Sequence, residues 1–125
     1  MRRLRNEDEL MQRIGGFGFR KVSLTGMPVR EQIDLFSNAS AIVAPHGAGL
    51  TNILFSPASA KIIELMPHTR VWPGFRVISA ALGGNYSAYV ASDVDSEQSG
   101  SLGIGNEDFS VHPITCARFI ESCLA

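Results

Sequence analysis

Two short apolar runs that do not alternate with polar residues constrain this chain most: Ala41–Ala44 (AIVA) and Lys61–Leu65 (KIIEL). A strand with one wet face alternates, so such runs are expected of strands covered on both faces in a parallel sheet. Helical signals surround them. Asn6 followed by Glu9 has the spacing of a capping box and starts a helix that Gly15 and Gly16 stop. Pro28 opens a second helix with Val29, Ile33 and Phe36 on one face and Asn38 as its stop. Further helices are predicted from Leu50 to about Phe55, from Gly74 to Leu82 with Phe75, Ile78 and Leu82 on one side, and from Pro113 to about Leu124. Phe19–Leu24 and Tyr86–Val90 read as two more strands.

Helix and strand alternate throughout, which predicts α/β class: a Rossmann-like three-layer domain with a mostly parallel sheet of about four strands. At 125 residues the chain makes one domain, residues 1–125. A chain of this size buries roughly two-thirds of its unfolded surface. Residues 92–106 are rich in Ser, Gly and Asp without periodicity and are expected to form a mobile loop. One irregularity stands at the start, where a helix opens a chain type that normally opens on a strand.

Composition narrows the function. A formal net charge of −1 gives no general attraction to nucleic acid or anionic lipid. Arg2, Arg3 and Arg5 are answered at once by Glu7, Asp8 and Glu9, as in a solvated helix entry. His46, His68 and His112 are scattered, and no Cys/His pair has zinc-type spacing, so no metal site is expected. Cys116 and Cys123 fall in one predicted helix about 10 Å apart, too far to bond, and read as packing thiols in a reducing compartment. No run approaches the roughly eighteen apolar residues of a membrane span, and the acidic N-terminus lacks the apolar stretch of a signal peptide. A cytoplasmic protein, or a fragment of something larger, is the expectation.

The segment APHGAGLTN, residues 44–52, lies where a strand turns into a helix. Ligands of parallel sheets bind at such junctions, beyond the strands' C-terminal ends. Gly47 and Gly49 lack Cβ, so an anion can approach the main-chain amides. A helix start adds unpaired N–H groups, Thr51 and Asn52 add side-chain donors, and His46 can donate to a phosphate oxygen. Glu64, fifteen residues after Gly49, sits near the end of the next predicted strand and can accept both hydroxyls of a ribose. Plainer roles stand beside these: a strand-end Glu64 paired with Lys61 or Arg70, and a loop-capping His46. The dinucleotide pattern G-x-G-x-x-G is not met, because Asn52 occupies its last place, and no P-loop Lys-Ser/Thr follows.

The segments RLRNEDEL, EQIDLFSNAS, IVAPHGAGLTNILFSP and IIELMP, followed by an aromatic helix and LGGNY, resemble in order and spacing the C-terminal half of family 61 glycosyltransferases. That group includes bacterial capsular polysaccharide biosynthesis proteins, and the resemblance runs from about Arg3 to Tyr86. It implies one half of a GT-B architecture, holding a nucleotide-sugar donor, often UDP-linked, and transferring with inversion and no bound metal. By position His46, Gly47, Ala48, Gly49, Leu50 and Thr51 would meet the diphosphate, Asn52 would hold the loop or add a contact, and Glu64 would take the ribose. Arg3 would reach the donor phosphates or sit in solvent, while Gln32 and Asn6 match the family pattern in packing and capping roles. His46 is the candidate stabiliser of the leaving group. No catalytic base stands out, since Asp93, Asp95, Glu107 and Asp108 fall in or beside the irregular stretch. The resemblance also implies an N-terminal domain for the glycan acceptor, which this chain lacks, so activity in isolation is not expected.

Two other readings compete. An oligomerising or nucleotide-binding scaffold without catalysis would follow from an exposed sheet edge that invites pairing with a second copy. A dinucleotide oxidoreductase is poorly supported, because the third glycine is missing.

Overall fold

The computed structural model describes residues 4–68, 73–91, 93–94 and 108–125. Three strands form an all-parallel sheet in the order β1 (Ala41–Pro45), β2 (Lys61–Pro67), β3 (Asn85–Ala91). Ala44, Glu64 and Ala88 lie side by side across it. The ladder continues past the strand ends, where His46 N donates to Leu65 O at 2.9 Å and His68 N to Ala91 O at 2.9 Å.

Helices cover both faces. On one, α1 (Glu7–Ile14) and the C-terminal helix α4 (Pro113–Leu124) bury Leu10, Ile14, Cys116 and Ile120 against Ile63 and Leu65 of β2. On the other, α2 (Val29–Ser37), α3 (Gly74–Ala81) and a 3-10 segment (Ala48–Phe55) pack Phe36, Phe75, Leu50 and Ile53 on Ile62. Successive side chains of a strand point to opposite faces, so the unalternating apolar run of β2 is what a central strand between two helical layers requires. Six of its seven residues are buried. This is the predicted Rossmann-like three-layer domain, with three parallel strands rather than about four.

The missing strand is Phe19–Leu24, which forms none. A strand needs a ladder partner. The edge of β1 that it would join faces an open groove of about 730 Å³, lined by Phe19, Val22 and Leu24 as well as by β1 itself. Phe19 and Leu24 pack on the two separate cores, while Lys21 reaches Glu7 and Asp8 at 3.4 and 3.3 Å. As the edge strand, β1 is half-buried throughout, less covered than expected. Val29 of the predicted apolar face is 68% exposed, and Phe36 is the buried anchor of α2.

The start of the chain is tied to its end. Leu4 bridges to Phe109, Arg5 N donates to Phe109 O at 2.8 Å, and β4 (Asp93–Val94) pairs antiparallel with β5 (Phe109–Ser110). Asn6 does not make the predicted capping box. Its side chain instead brackets Val111, donating from Nδ2 to the carbonyl at 2.7 Å and accepting the amide on Oδ1 at 3.0 Å. Two bonds to a buried backbone outweigh one cap to a solvent-facing turn. The helix α4 starts as predicted, with Pro113 in its first turn and the His112 side chain accepting from Thr115 N. Apart from Asp93–Val94, the loop expected over residues 92–106 lies outside the described residues, as do Asp95, Glu107 and Arg3. No helix among the described residues is long and apolar enough to cross a membrane.

Candidate functional site

Glu64 occupies the fourth position of β2, on the same face as Ile62, and is 0% exposed. It is therefore in mid-strand, not at the strand end. An ionised carboxylate withdrawn from water is costly unless its oxygens are paired. Both are: one takes the Nδ1 of His46 and the other accepts the hydroxyl of Tyr86. The carboxylate expected to face a ribose thus faces inward, to His46 just past β1 and to Tyr86 of β3.

His46 follows β1 directly. Its main chain is fixed by the bond to Leu65, and its ring lies tilted on Phe75 of α3 with centroids 5.2 Å apart at 57°. The side chain is 12% exposed. Its Nδ1 is committed to Glu64. Burial, first, and then the bond to Glu64 and its charge hold the Tyr86 phenol well above its ordinary range, against a smaller pull from Arg76. Tyr86 is consequently a hydrogen-bond donor to Glu64 at any physiological pH.

Beyond His46 the backbone of Gly47 is extended (φ 177°, ψ 167°), a conformation open to any residue. A Cβ built there would meet only Pro45 O, at 3.9 Å, an ordinary contact. Nothing in the fold asks for glycine at this place. The predicted helix follows as the 3-10 segment, in which Leu50 N closes the first turn on Gly47 O at 3.1 Å. Leu50, expected to meet the diphosphate, buries its side chain in the core. Thr51 is exposed. Asn52 holds the segment in place, donating to Gln32 Oε1 at 2.8 Å while Gln32 Nε2 donates to Met27 O at 2.9 Å. Gln32 is thereby a strut between α2 and the turn. The segment ends at Ser56, pushed to an extended conformation ahead of Pro57.

The structure therefore gathers His46, Gly47 and the following turn at the C-terminal end of β1, over Glu64. It adds two residues that the sequence reading did not assign to the site, Tyr86 and Phe75. Their signal was faint: each sat in an element placed correctly, but the register that brings Tyr86 to Glu64 appears only once β2 and β3 are paired.

Comparison with known proteins places the chain in a family. The chain is similar to the EGF domain-specific O-linked N-acetylglucosamine transferase of Drosophila melanogaster, with 36% identity over 67 residues, 51% of this chain and 13% of that protein. It is similar to the beta-1,2-xylosyltransferase XAX1 of Oryza sativa subsp. japonica, with 36% identity over 67 residues, 53% of this chain and 12% of that protein. A shorter stretch of 47 residues is 43% identical to the protein O-linked-mannose beta-1,4-N-acetylglucosaminyltransferase 2 of Canis lupus familiaris, covering 38% of this chain and 8% of that protein. The chain thus spans only a small part of the length of each relative. The profile described as Glycosyltransferase 61 matches residues 1–63, which carry α1, α2, β1, the glycine turn and the first three residues of β2. Half of the sequence is covered by that match, and the chain belongs to glycosyltransferase family 61.

Proposed function

We propose that this chain forms the donor-binding side of a glycosyltransferase that moves a sugar from a nucleotide-sugar, UDP-linked, to a hydroxyl of a glycan or similar acceptor. The observation that carries the reading is Gly47. The fold would accept a Cβ there, and the residue stands beside a pinned imidazole at the mouth of a helical turn. A position that the fold leaves open to any side chain, yet holds glycine, suits the close approach of a ligand to the main chain.

In this scheme His46 and the amides of Gly47, Ala48 and Gly49 face the diphosphate, Thr51 adds its hydroxyl, and Leu50 and Asn52 hold the turn. As the glycosidic bond breaks, the departing nucleoside diphosphate gains negative charge. Preplaced donors stabilise that charge without reorganising. The acceptor's proton must pass to a general base, which the reading assigns to the acceptor-side domain of a GT-B partner or to residues outside those described.

The test is a titration of the labelled chain with UDP, following backbone amide signals. Residues 46–52 are expected to shift at millimolar ligand. A clean titration without shifts there refutes the donor site. A panel containing UDP-N-acetylglucosamine and UDP-xylose, chosen from the relatives' names, then ranks the sugars.

A second reading draws on the open edge of β1, whose groove of about 730 Å³ leaves room for a strand from another copy. A scaffold role predicts a dimer by light scattering and no UDP-induced shifts at the turn.

A further inference from the structure

We propose that Glu64 and Tyr86 are positioning residues for His46: together they hold the imidazole in one orientation, with its Nδ1 hydrogen on Glu64. The proposal rests on the reading that the turn receives a nucleoside diphosphate, but its structural part can be tested without any ligand.

Three constraints converge on the ring. The backbone N–H of His46 is bonded to Leu65, Phe75 lies against the ring face, and Nδ1 meets the Glu64 carboxylate. The last constraint is the one that selects a tautomer. A carboxylate offers only lone pairs, so the nitrogen facing it carries the hydrogen. Glu64 can hold that role because it cannot turn away. It is 0% exposed on the central strand, and any rotation that releases His46 also strands an oxygen where water does not reach.

Tyr86 fixes the other oxygen, and its phenol keeps its proton, so the carboxylate presents one defined oxygen to His46. The chain of contacts therefore runs from β3 through β2 to the residue after β1, across the whole sheet. A carboxylate meant for a ribose needs a solvent-facing oxygen, whereas Glu64 shows none. Its effect on a ligand is transmitted through the imidazole.

Nitrogen-15 correlation spectra of the imidazole, recorded on the ligand-free chain, read the tautomer directly. The expected spectrum of the parent places a hydrogen on Nδ1 of His46. Glu64→Leu should move the ring to the Nε2–H form and weaken UDP binding at least tenfold, with the fold retained by circular dichroism. Glu64→Gln keeps an acceptor for Nδ1–H and should restore affinity to within about threefold of the parent. Tyr86→Phe should give mixed tautomers, and it decides the matter if Glu64→Leu does not fold.

An Nε2–H ring in the parent overturns the proposal, as does UDP affinity that Glu64→Leu leaves unchanged. If the parent shows the Nδ1 hydrogen but no UDP shifts at residues 46–52, the positioning stands and the donor-site reading falls.

Discussion

Replacing Gly47 with alanine separates what the fold needs from what a ligand needs. The backbone there is extended, so alanine adopts it without strain, and the new methyl finds only Pro45 O at 3.9 Å. Glycine-to-alanine changes at compatible positions stabilise by about 0.4–1 kcal/mol, because the unfolded chain loses freedom. For a chain of this length that corresponds to a melting temperature higher by about 2–5 °C. Binding should go the other way. A methyl group that keeps a phosphate oxygen from the amides removes at least one charge-assisted hydrogen bond, about 1.5–3 kcal/mol, or roughly a tenfold to hundredfold loss of UDP affinity. Thermal unfolding and calorimetric titration on one preparation read both signs. A variant that binds UDP as tightly as the parent refutes the cradle, and one that melts several degrees lower shows that the fold needed this glycine after all.

Further outcomes follow from the packing and from burial. Gly84→Ala sets a Cβ 2.7 Å from Ser79 Oγ and should cost roughly 1–3 kcal/mol in urea unfolding, most of it recovered when Ser79→Ala is added. Ser79→Ala alone should be neutral or stabilising, since that buried hydroxyl has no partner among the described residues. Asn6→Ala removes both bonds to Val111 and should destabilise by roughly 1–3 kcal/mol by the same measurement. Burial pushes the Cys116 thiol up to about 12 from an ordinary 9.0, and Tyr86 is likewise raised above 10.0. Because both fold with the proton held more tightly, their contribution is complete below the unfolded values and is lost as pH rises. Between pH 9 and 12 Cys116 alone should cost about 1.4 kcal/mol per pH unit, and Cys116→Ala should flatten that part of a denaturation series.

The parts of the fold that could be read from the sequence are those decided locally. The apolar run of β2 and the helix from Pro113 carry their own signals, and both stand where the residues placed them. Phe19–Leu24 alternates like a strand, but a strand is made by its partner, and the edge of β1 lies across a groove. Asn6 shows the same limit from another side. Its spacing to Glu9 suggested a cap, while the bond it makes reaches Val111, 105 residues away. At the site the glycine turn was legible because glycines and an imidazole between two apolar runs are locally conspicuous. Glu64 stands out by its spacing from the glycines, but spacing does not say which way a strand residue points, and in the fold its two oxygens turn to His46 and Tyr86.

The central claim is that a nucleoside diphosphate lies on the turn after β1, against His46. A crystal structure with UDP bound tests it most directly. The account predicts the diphosphate on the amides of residues 47–49, with Nε2 of His46 turned to a phosphate oxygen and Glu64 still holding Nδ1. Diphosphate density elsewhere, with the turn closed by the protein's own atoms, contradicts it.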